Sequence, residues 1–416
     1  MMSVSDPDAV RAGRWLSRPG CRAVMAALGG VEGDTRFVGG AVRDALLDRP
    51  VNDIDLATRL VPDEVVRRAQ EAGLKAVPTG IDHGTVTIVA EHTPYEVTSL
   101  RKDVETDGRR AVVAFTQDWS EDAMRRDFTI NALYADRDGR IYDAVGGMTD
   151  LANRTLRFIG DAETRIREDY LRILRFFRFA SQIEYLVLDR AGLMACAALA
   201  PGLADLSVER VQAELFKLLG GADPVDALRQ MAAAGILQQV LPEARSMARL
   251  EAVARVERDR LFEADPERRF YALLGARHVG PVGQRLRLSN RALARLKAIS
   301  DAEDVQRAHK LVAPAMEVAA LQRALHRLGA GAFRDLVVLL WADDSGDHRE
   351  NLWRALLAHA DVWQPRTLPV SGDDITALGI EPGPRVGQIL SLLDDWWSQN
   401  GFPDREAVLG RLYELV

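Results

Sequence analysis

Cysteine is nearly missing from this sequence. Cys21 and Cys196 are the only two in 416 residues, far apart and outside any ligand-spaced cluster. That excludes a disulfide scaffold and a cysteine-based zinc site, and a reducing cytoplasm is expected. Also missing is any apolar run long enough to span a bilayer. The opening "MMSVSDPDAVRAGRWL" has no apolar core of the signal-peptide kind. A soluble cytoplasmic protein with no membrane partner is expected. There is no excess of positive charge either. The formal net charge is −7, which argues against broad, nonspecific attraction to polyanions. Arginine is nevertheless clustered locally, so basic patches remain open.

What is present divides the chain in two. From about Thr35 to Phe158, short β-like runs ("RFVGG", "DIDLA", "TVTIVA", "YEVTSL", "VVAF", "RIYDA", "TLRFIG") alternate with helical stretches. After about Asp161 the pattern is helical, broken by "APGLADLS", "LGGADP", "VLPEARS" and "QPRTLPVSGDD". The expected fold class is α+β: a small mixed α/β head followed by an elongated all-α remainder. Residues 1–30 read as a helical segment, 31–160 as the head, and 161–222, 223–365 and 366–416 as three successive helical domains. "SVERVQAELFKLL" reads as a helix capped by Ser207.

The chemistry begins in "FVGGAVRDALLDRPVNDIDLAT". Asp53 and Asp55 alternate, so on a strand both side chains face one way and Ile54 faces the other. Two adjacent carboxylates repel unless a cation lies between them, and Mg²⁺ prefers such hard oxygen ligands. Glu96, in "PYEVTSL", is a third candidate metal ligand if its strand adjoins theirs. The alternative is a solvated Asp-x-Asp loop. Upstream, a strand ends at Gly39–Gly40 and a helix follows. Gly40 lets a phosphate approach the backbone, and Arg43 can fork onto it. A plain strand-to-helix turn reads the same way.

Two further segments concentrate arginine. In "RRDFTINAL", Arg126 can hold phosphates and Asp127 can accept from a ribose hydroxyl, and an ordinary charge cluster at a helix N-terminus reads the same way. In "EDYLRILRFFRFA", Asp169, Arg172, Arg175 and Arg178 recur every third residue and form a slanted row on a helix. Apolar residues fill nearly all of the remaining surface, so the helix is buried and its arginines need anionic partners. Those partners are either protein carboxylates, or phosphates and a nucleobase.

"GGAVRD", "DID", "RRDFTINAL", "DAVGGMTDL" and "EDYLRILRFFRFA" occur in the order found in bacterial tRNA nucleotidyltransferases and poly(A) polymerases. The chain resembles this class II branch of the DNA polymerase β-like nucleotidyltransferases. The likeness is strong from Phe37 to about Ala180 and looser beyond it. It implies a catalytic head, then a neck (161–222) that recognises the base, a body (223–365) and a tail (366–416) that binds tRNA. It implies metal binding by Asp53 and Asp55, with Mg²⁺ as cofactor, and triphosphate binding by Gly40 and Arg43. Arg126 would touch the nucleotide, Asp127 the ribose, and Asp169 and Arg172 the base. Arg175 and Arg178 would support base and phosphates.

The implied reaction adds C, C and A from CTP and ATP to a tRNA 3′ end without a nucleic-acid template. A carboxylate accepting from the exocyclic amine and an arginine donating to the ring nitrogen fit cytosine and adenine. Guanine and uracil present the reverse order. "TSLRKDVETDGRRAVVAF" (Thr98 to Phe115) resembles the family's flexible loop, expected to support the switch to ATP. Arg285, Arg287, Arg291, Arg295 and Lys297 would form a basic stripe toward tRNA, and 383–387 a phosphate-facing turn with Arg385. No obligate protein partner is expected. Poly(A) polymerase is the nearest alternative, and a noncatalytic RNA-binding protein a more distant one. The seven histidines include no His-Asp dipeptide, which excludes the HD-type phosphohydrolase that some relatives carry.

Overall fold

The computed structural model describes residues 3–5, 15–80, 84–107, 110–261, 263–344 and 349–416, with backbone alone at 3–5, 103–107 and 110–113. It divides into two compact units, Met1–Pro242 and Glu243–Val416.

The first unit is built on an eight-stranded sheet in the order β1-β10-β9-β2-β3-β6-β5-β4. The strands are β1 (Ser3–Ser5), β2 (Thr35–Val38), β3 (Asp55–Thr58), β4 (Lys75–Gly80), β5 (Thr85–Ala90), β6 (Thr93–Ser99), β9 (Leu133–Ala135) and β10 (Ile141–Asp143). All neighbours are antiparallel except β3 and β6, which run parallel with Asp55 opposite Glu96. Between β6 and β9 lie β7 (Arg101–Asp107) and β8 (Arg110–Phe115), which pair with each other. The stretch likened to the family's flexible loop therefore carries two paired strands. Its alternation was hidden by charged residues at most β7 positions.

Helix α1 (Pro19–Ala27) and α3 (Pro62–Glu71) each begin on a proline, which suits the first helical position. In α3, Asp63 and Glu64 occupy the first turn, and Val65 and Ala69 are buried one turn apart. Both helices pack on the sheet strands, where Cys21 Sγ lies 3.8 Å from the Tyr95 hydroxyl. Of the segment 1–30 expected to be helical, Pro19–Ala27 is a helix, Ser3–Ser5 is instead an edge strand paired with β10, and 6–14 lie outside the described residues.

The other head helices are α2 (Gly40–Leu46), α4 (Trp119–Met124) and α5 (Gly147–Ala152), with a 3₁₀ turn at Thr129–Asn131. Then come α6 (Ala162–Glu168), α7 (Leu171–Gln182), α8 (Arg190–Ala198), α9 (Val208–Leu219), α10 (Pro224–Ala233) and α11 (Leu237–Val240). A short parallel pair, β11 (Thr155–Leu156) with β12 (Val187–Leu188), links this helical part to the head. Ser207 stands at the N-cap of α9 as expected, but its hydroxyl accepts no amide.

The second unit is helical throughout its described residues, from Met247–Val256 to Arg405–Leu415. Its interior holds a charged cluster. Arg268 donates to Glu257 at 2.7 Å and to Asp335 at 2.9 Å, and Arg269 donates to Glu257 at 2.6 Å. All four side chains are buried. Near its C-terminus, Val370, Ile375, Ile389, Leu393, Trp397, Val408 and Leu412 form a separate apolar cluster. No helix among the described residues is long and apolar enough to cross a membrane.

Candidate active site

The carboxylates come first. Asp55 opens β3 and Asp53 precedes the strand, while the intervening Ile54 is buried, as the alternation requires. The parallel register sets Glu96 directly across from Asp55. Asp55 presents some surface, yet protein surrounds it on most sides. That desolvation, together with the neighbouring Glu96 and Asp53 charges, pushes its carboxyl up to about 6, against the pull of Arg126.

The glycine turn follows β2. Gly39 adopts φ 71° and ψ −122°, a conformation open to glycine, and precedes α2. A Cβ at Gly40 would meet only Arg43 Nη2, at 3.8 Å, so packing does not demand glycine there. Arg43 is buried. It donates through Nε and Nη2 to both Asp44 oxygens at 3.0 Å, and through Nη1 to Asn131 Oδ1 at 2.5 Å. Three of its five N–H groups are thereby used and two remain. Burial lowers its pKa, and Asp44 opposes that shift.

Asp122 of α4 organises the "RRDF" corner. It is 1% exposed. Its Oδ1 accepts from Arg125 at 2.7 and 2.9 Å, and its Oδ2 from the Tyr134 hydroxyl at 2.7 Å and Arg126 at 3.1 and 3.2 Å. Burial alone would raise this carboxyl, but Arg126 and Arg125 outweigh it and hold it down at about 2. Arg126 is thus held by Asp122 and Tyr134, and its charge is felt at Asp55.

Asp127 accepts the Phe128 amide at 2.9 Å and Asn131 Nδ2 at 3.3 Å on one oxygen, and Arg175 Nε at 2.8 Å on the other, with Arg175 Nη2 2.6 Å from that same oxygen as an ion pair. Three of a carboxylate's four acceptor positions are thereby used. The Asp127–Arg175 pair also ties the head to α7. Four rings reinforce the tie: Phe128 lies 4.9, 5.8 and 5.5 Å from Phe158, Phe176 and Phe179.

On α7 the remaining charges are matched as well. Arg172 donates to the Arg165 carbonyl at 2.7 Å and to the Glu168 carboxylate. Arg178 lies 2.8 Å from Glu214 of α9, an ion pair without hydrogen-bond alignment. Burial, then Arg175, pulls Arg178 down to about 10. Asp169 sits in extended backbone between α6 and α7 and accepts Arg210 Nη2 at 2.7 Å. Protein carboxylates therefore supply the partners that a buried arginine row needs.

Residues 35–157 match the family of the poly A polymerase head domain, and 188–247 match a probable RNA and SrmB-binding site of polymerase A. The mitochondrial CCA tRNA nucleotidyltransferase 1 of Mus musculus is 34% identical, over 89% of this chain and 84% of its own length. The CCA-adding enzyme of Streptococcus gordonii is also 34% identical, over 91% and 92%. The Bacillus stearothermophilus CCA-adding enzyme, solved in complex with CTP, superposes with a TM-score of 0.79 at 29% identity, covering 96% of this chain and 98% of that one.

The chain belongs to the family of CCA-adding enzymes and poly(A) polymerases. It is a nucleotidyltransferase, with the mixed head and helical remainder of that family.

Enzymes of this family use divalent metals, and the donor set here fits one. Asp53 and Asp55 offer hard oxygen ligands, and the crowding at Asp55 is the repulsion that a cation relieves. Among the described residues no three His, Cys, Asp or Glu side chains gather closely enough to hold an ion. Glu96 stands opposite Asp55 in the register, and its charge acts on the Asp55 carboxyl.

Other sequence readings change. "DAVGGMTDL" is a structural turn: Asp143 accepts the amides of Val145, Gly146, Gly147 and Met148 at 2.9 to 3.0 Å. The expected basic stripe is largely neutralised. Arg285 pairs with Glu243, Lys297 with Asp301, and Arg295 with Asp335, Asp265 and Glu267. Residues missed from sequence are Asp122, Asn131, Glu168, Arg210 and Glu214. Only Asp122 and Glu168 carried a local signal, a carboxylate three or four positions before an arginine.

Proposed function

We propose that this protein adds C, C and A to the 3′ end of tRNA from CTP and ATP, with Mg²⁺ as the metal, in the cytoplasm. The observation that carries this reading is the Asp127–Arg175 pair, 2.6 Å long. It joins the carboxylate-bearing head to the helix that begins beside Asp169 and Arg172, so phosphate chemistry and base reading share one body. The CCA-adding relatives match through most of their own length, which favours CCA addition over poly(A) addition.

In this reading the tRNA 3′ oxygen bonds to the α-phosphorus of the incoming nucleotide, the bond to the β-phosphate breaks, and pyrophosphate leaves. Bound Mg²⁺ would lower the pKa of the attacking hydroxyl and neutralise the triphosphate. Asp53 and Asp55 would hold it. Arg43 would turn its two unused N–H groups, and Arg126 its guanidinium, toward the phosphates. Asp127 and Arg175, joined to each other, would keep the nucleotide site aligned, with Arg178 behind them. Asp169 would accept from the exocyclic amine of C or A, and Arg172 would donate to the ring nitrogen. The helical segments 161–222, 223–365 and 366–416 would serve as neck, body and tail, the tail engaging tRNA.

A tRNA transcript lacking CCA, incubated with CTP and then ATP, tests the assignment. Growth by two residues with CTP and one more with ATP is expected. A ladder of adenylates from ATP alone would identify a poly(A) polymerase instead.

A further inference from the structure

We propose that residues 366–416 form a hinged unit, docked on the preceding helices by an aromatic joint around Phe402, and that the closed joint presents this unit to tRNA. The role toward tRNA rests on the proposed reading of 366–416 as the segment that engages tRNA. The joint itself does not.

Phe402 follows the helix Pro384–Gln399 with φ 62°, directly after Gly401 at φ 77°. Glycine suits that left-handed region, whereas a bulky side chain there is strained and persists only where its surroundings hold it. On its own side of the linker, the Phe402 amide donates to the Trp397 carbonyl at 2.9 Å, and its ring stands edge-on to Trp397 at 5.0 Å. From the other side, His326 of the helix Val318–Leu328 meets the Phe402 and Trp397 rings edge-on at 5.3 and 5.6 Å. Trp363 lies 6.4 Å from Phe402. The Arg366 guanidinium lies 4.5 Å from the Phe402 ring centre and 5.8 Å from that of Trp363. His326 Nε2 is 3.0 Å from both oxygens of Asp394, on the same helix as Trp397. Facing a carboxylate, that nitrogen serves as the donor.

Beyond the joint, the chain is built to move as one piece. The apolar cluster from Val370 to Leu412 draws on 366–416 alone, so this unit carries its own core. Its main packing against the preceding helices is Val318–Leu328 on Pro384–Gln399, where His326 and Asp394 meet. The linker 363–371 forms neither helix nor strand, and 364–367 are exposed. What closes the joint is a set of rings, one guanidinium and one imidazole–carboxylate contact, rather than a shared core. Undocking forfeits those contacts and lets the 401–402 turn relax. The closed state is therefore a balance between ring contacts and backbone strain, the condition for a two-state hinge.

Trypsin reads the open state, because cleavage after Arg366 needs an extended linker and a side chain free of the rings. The test follows release of 367–416 from the full-length enzyme by mass spectrometry, at trypsin levels where the rate tracks the open fraction. Phe402→Ala should raise the rate about tenfold or more, the worth of its ring and guanidinium contacts. Phe402→Tyr should stay near wild type. His326→Ala combined with Phe402→Ala should raise it by less than the product of the separate effects. Amide protection at Leu393 and Leu412, inside the unit's own core, should persist. The KM for tRNA lacking CCA should rise in Phe402→Ala, with the KM for CTP unchanged. An unchanged cleavage rate, or protection at Leu393 and Leu412 lost in step with faster cleavage, would overturn the joint. Faster cleavage with an unchanged tRNA KM would overturn its role toward tRNA. His326→Gln lies outside that core and serves under the same criteria if Phe402→Ala does not fold. If the unmodified enzyme adds no C or A, the functional reading fails, and cleavage and exchange still decide the joint.

Discussion

Replacing Asp122 with Asn keeps its shape and removes its charge from a site that is 1% exposed. The side chain holds Arg125 on one oxygen, and Arg126 and Tyr134 on the other. An amide nitrogen on either side would face donors with a donor. Two estimates bound the cost. The carboxyl is held at about 2 instead of 3.8, and a shift of that size corresponds to about 2 kcal/mol of stability at neutral pH. Breaking a buried charged pair by removing one member costs ~3–5 kcal/mol, because the remaining charge is stranded. We expect roughly 3 kcal/mol for Asp122→Asn. The folded-state carboxyl is depressed, so its contribution is complete above the unfolded value and is lost as pH falls toward the folded one. The gap between wild type and variant should therefore narrow by about 1 kcal/mol between pH 6 and pH 3. Urea unfolding at both pH values, with amide exchange read in α4 and β9, measures this. The KM for CTP should also rise, because Arg126 loses its anchor. A cost below about 1 kcal/mol, or a gap unchanged with pH, would refute the reasoning.

Asp55→Asn should lower nucleotide addition on the order of 10²–10³-fold while raising the thermal midpoint, since it removes a charge that burial and Glu96 disfavour; loss of stability alongside activity would contradict that account. Gly147→Ala should destabilise the head by about 1–3 kcal/mol, because a Cβ there would lie 2.3 Å from the Thr129 carbonyl oxygen; thermal unfolding checks it. Arg268→Met should cost about 1–3 kcal/mol, because Glu257 and Asp335 each lose one charged donor but keep Arg269 and Arg295, and hydrogen exchange should locate the loss in the second unit, with β3 and β6 protected as before.

What could be read from sequence was set by how local each interaction is. The strands "TVTIVA" and "YEVTSL" announced themselves by alternation, and β5 and β6 bury every second residue accordingly. Asp53, Asp55 and Glu96 were legible as carboxylates, but only the parallel pairing of β3 with β6 brings Glu96 opposite Asp55. The α7 arginines announced a need for anions without naming them. Asp127 and Glu214 answer from 48 and 36 positions away, a distance at which spacing says nothing. In the stripe from Arg285 to Lys297 the partners of Arg295 are likewise remote, Asp265 and Asp335 lying 30 and 40 positions away. Asp122 was the avoidable omission: its spacing to Arg125 and Arg126 is the ordinary signature of a helical ion pair.

The pairing of β3 with β6 has an evolutionary consequence. Asp55 alternates with the buried Leu56, and Glu96 with the buried Tyr95 and Val97. A single inserted or deleted residue in either strand would turn the acids into the core and the apolar side chains out to the face that Asp55 and Glu96 now occupy. On the proposed reading, chemistry and folding are thus written on this pair of strands in one frame. Variation that changes side chains at single positions can reach new activities here, whereas variation in strand length loses the activity and the domain together.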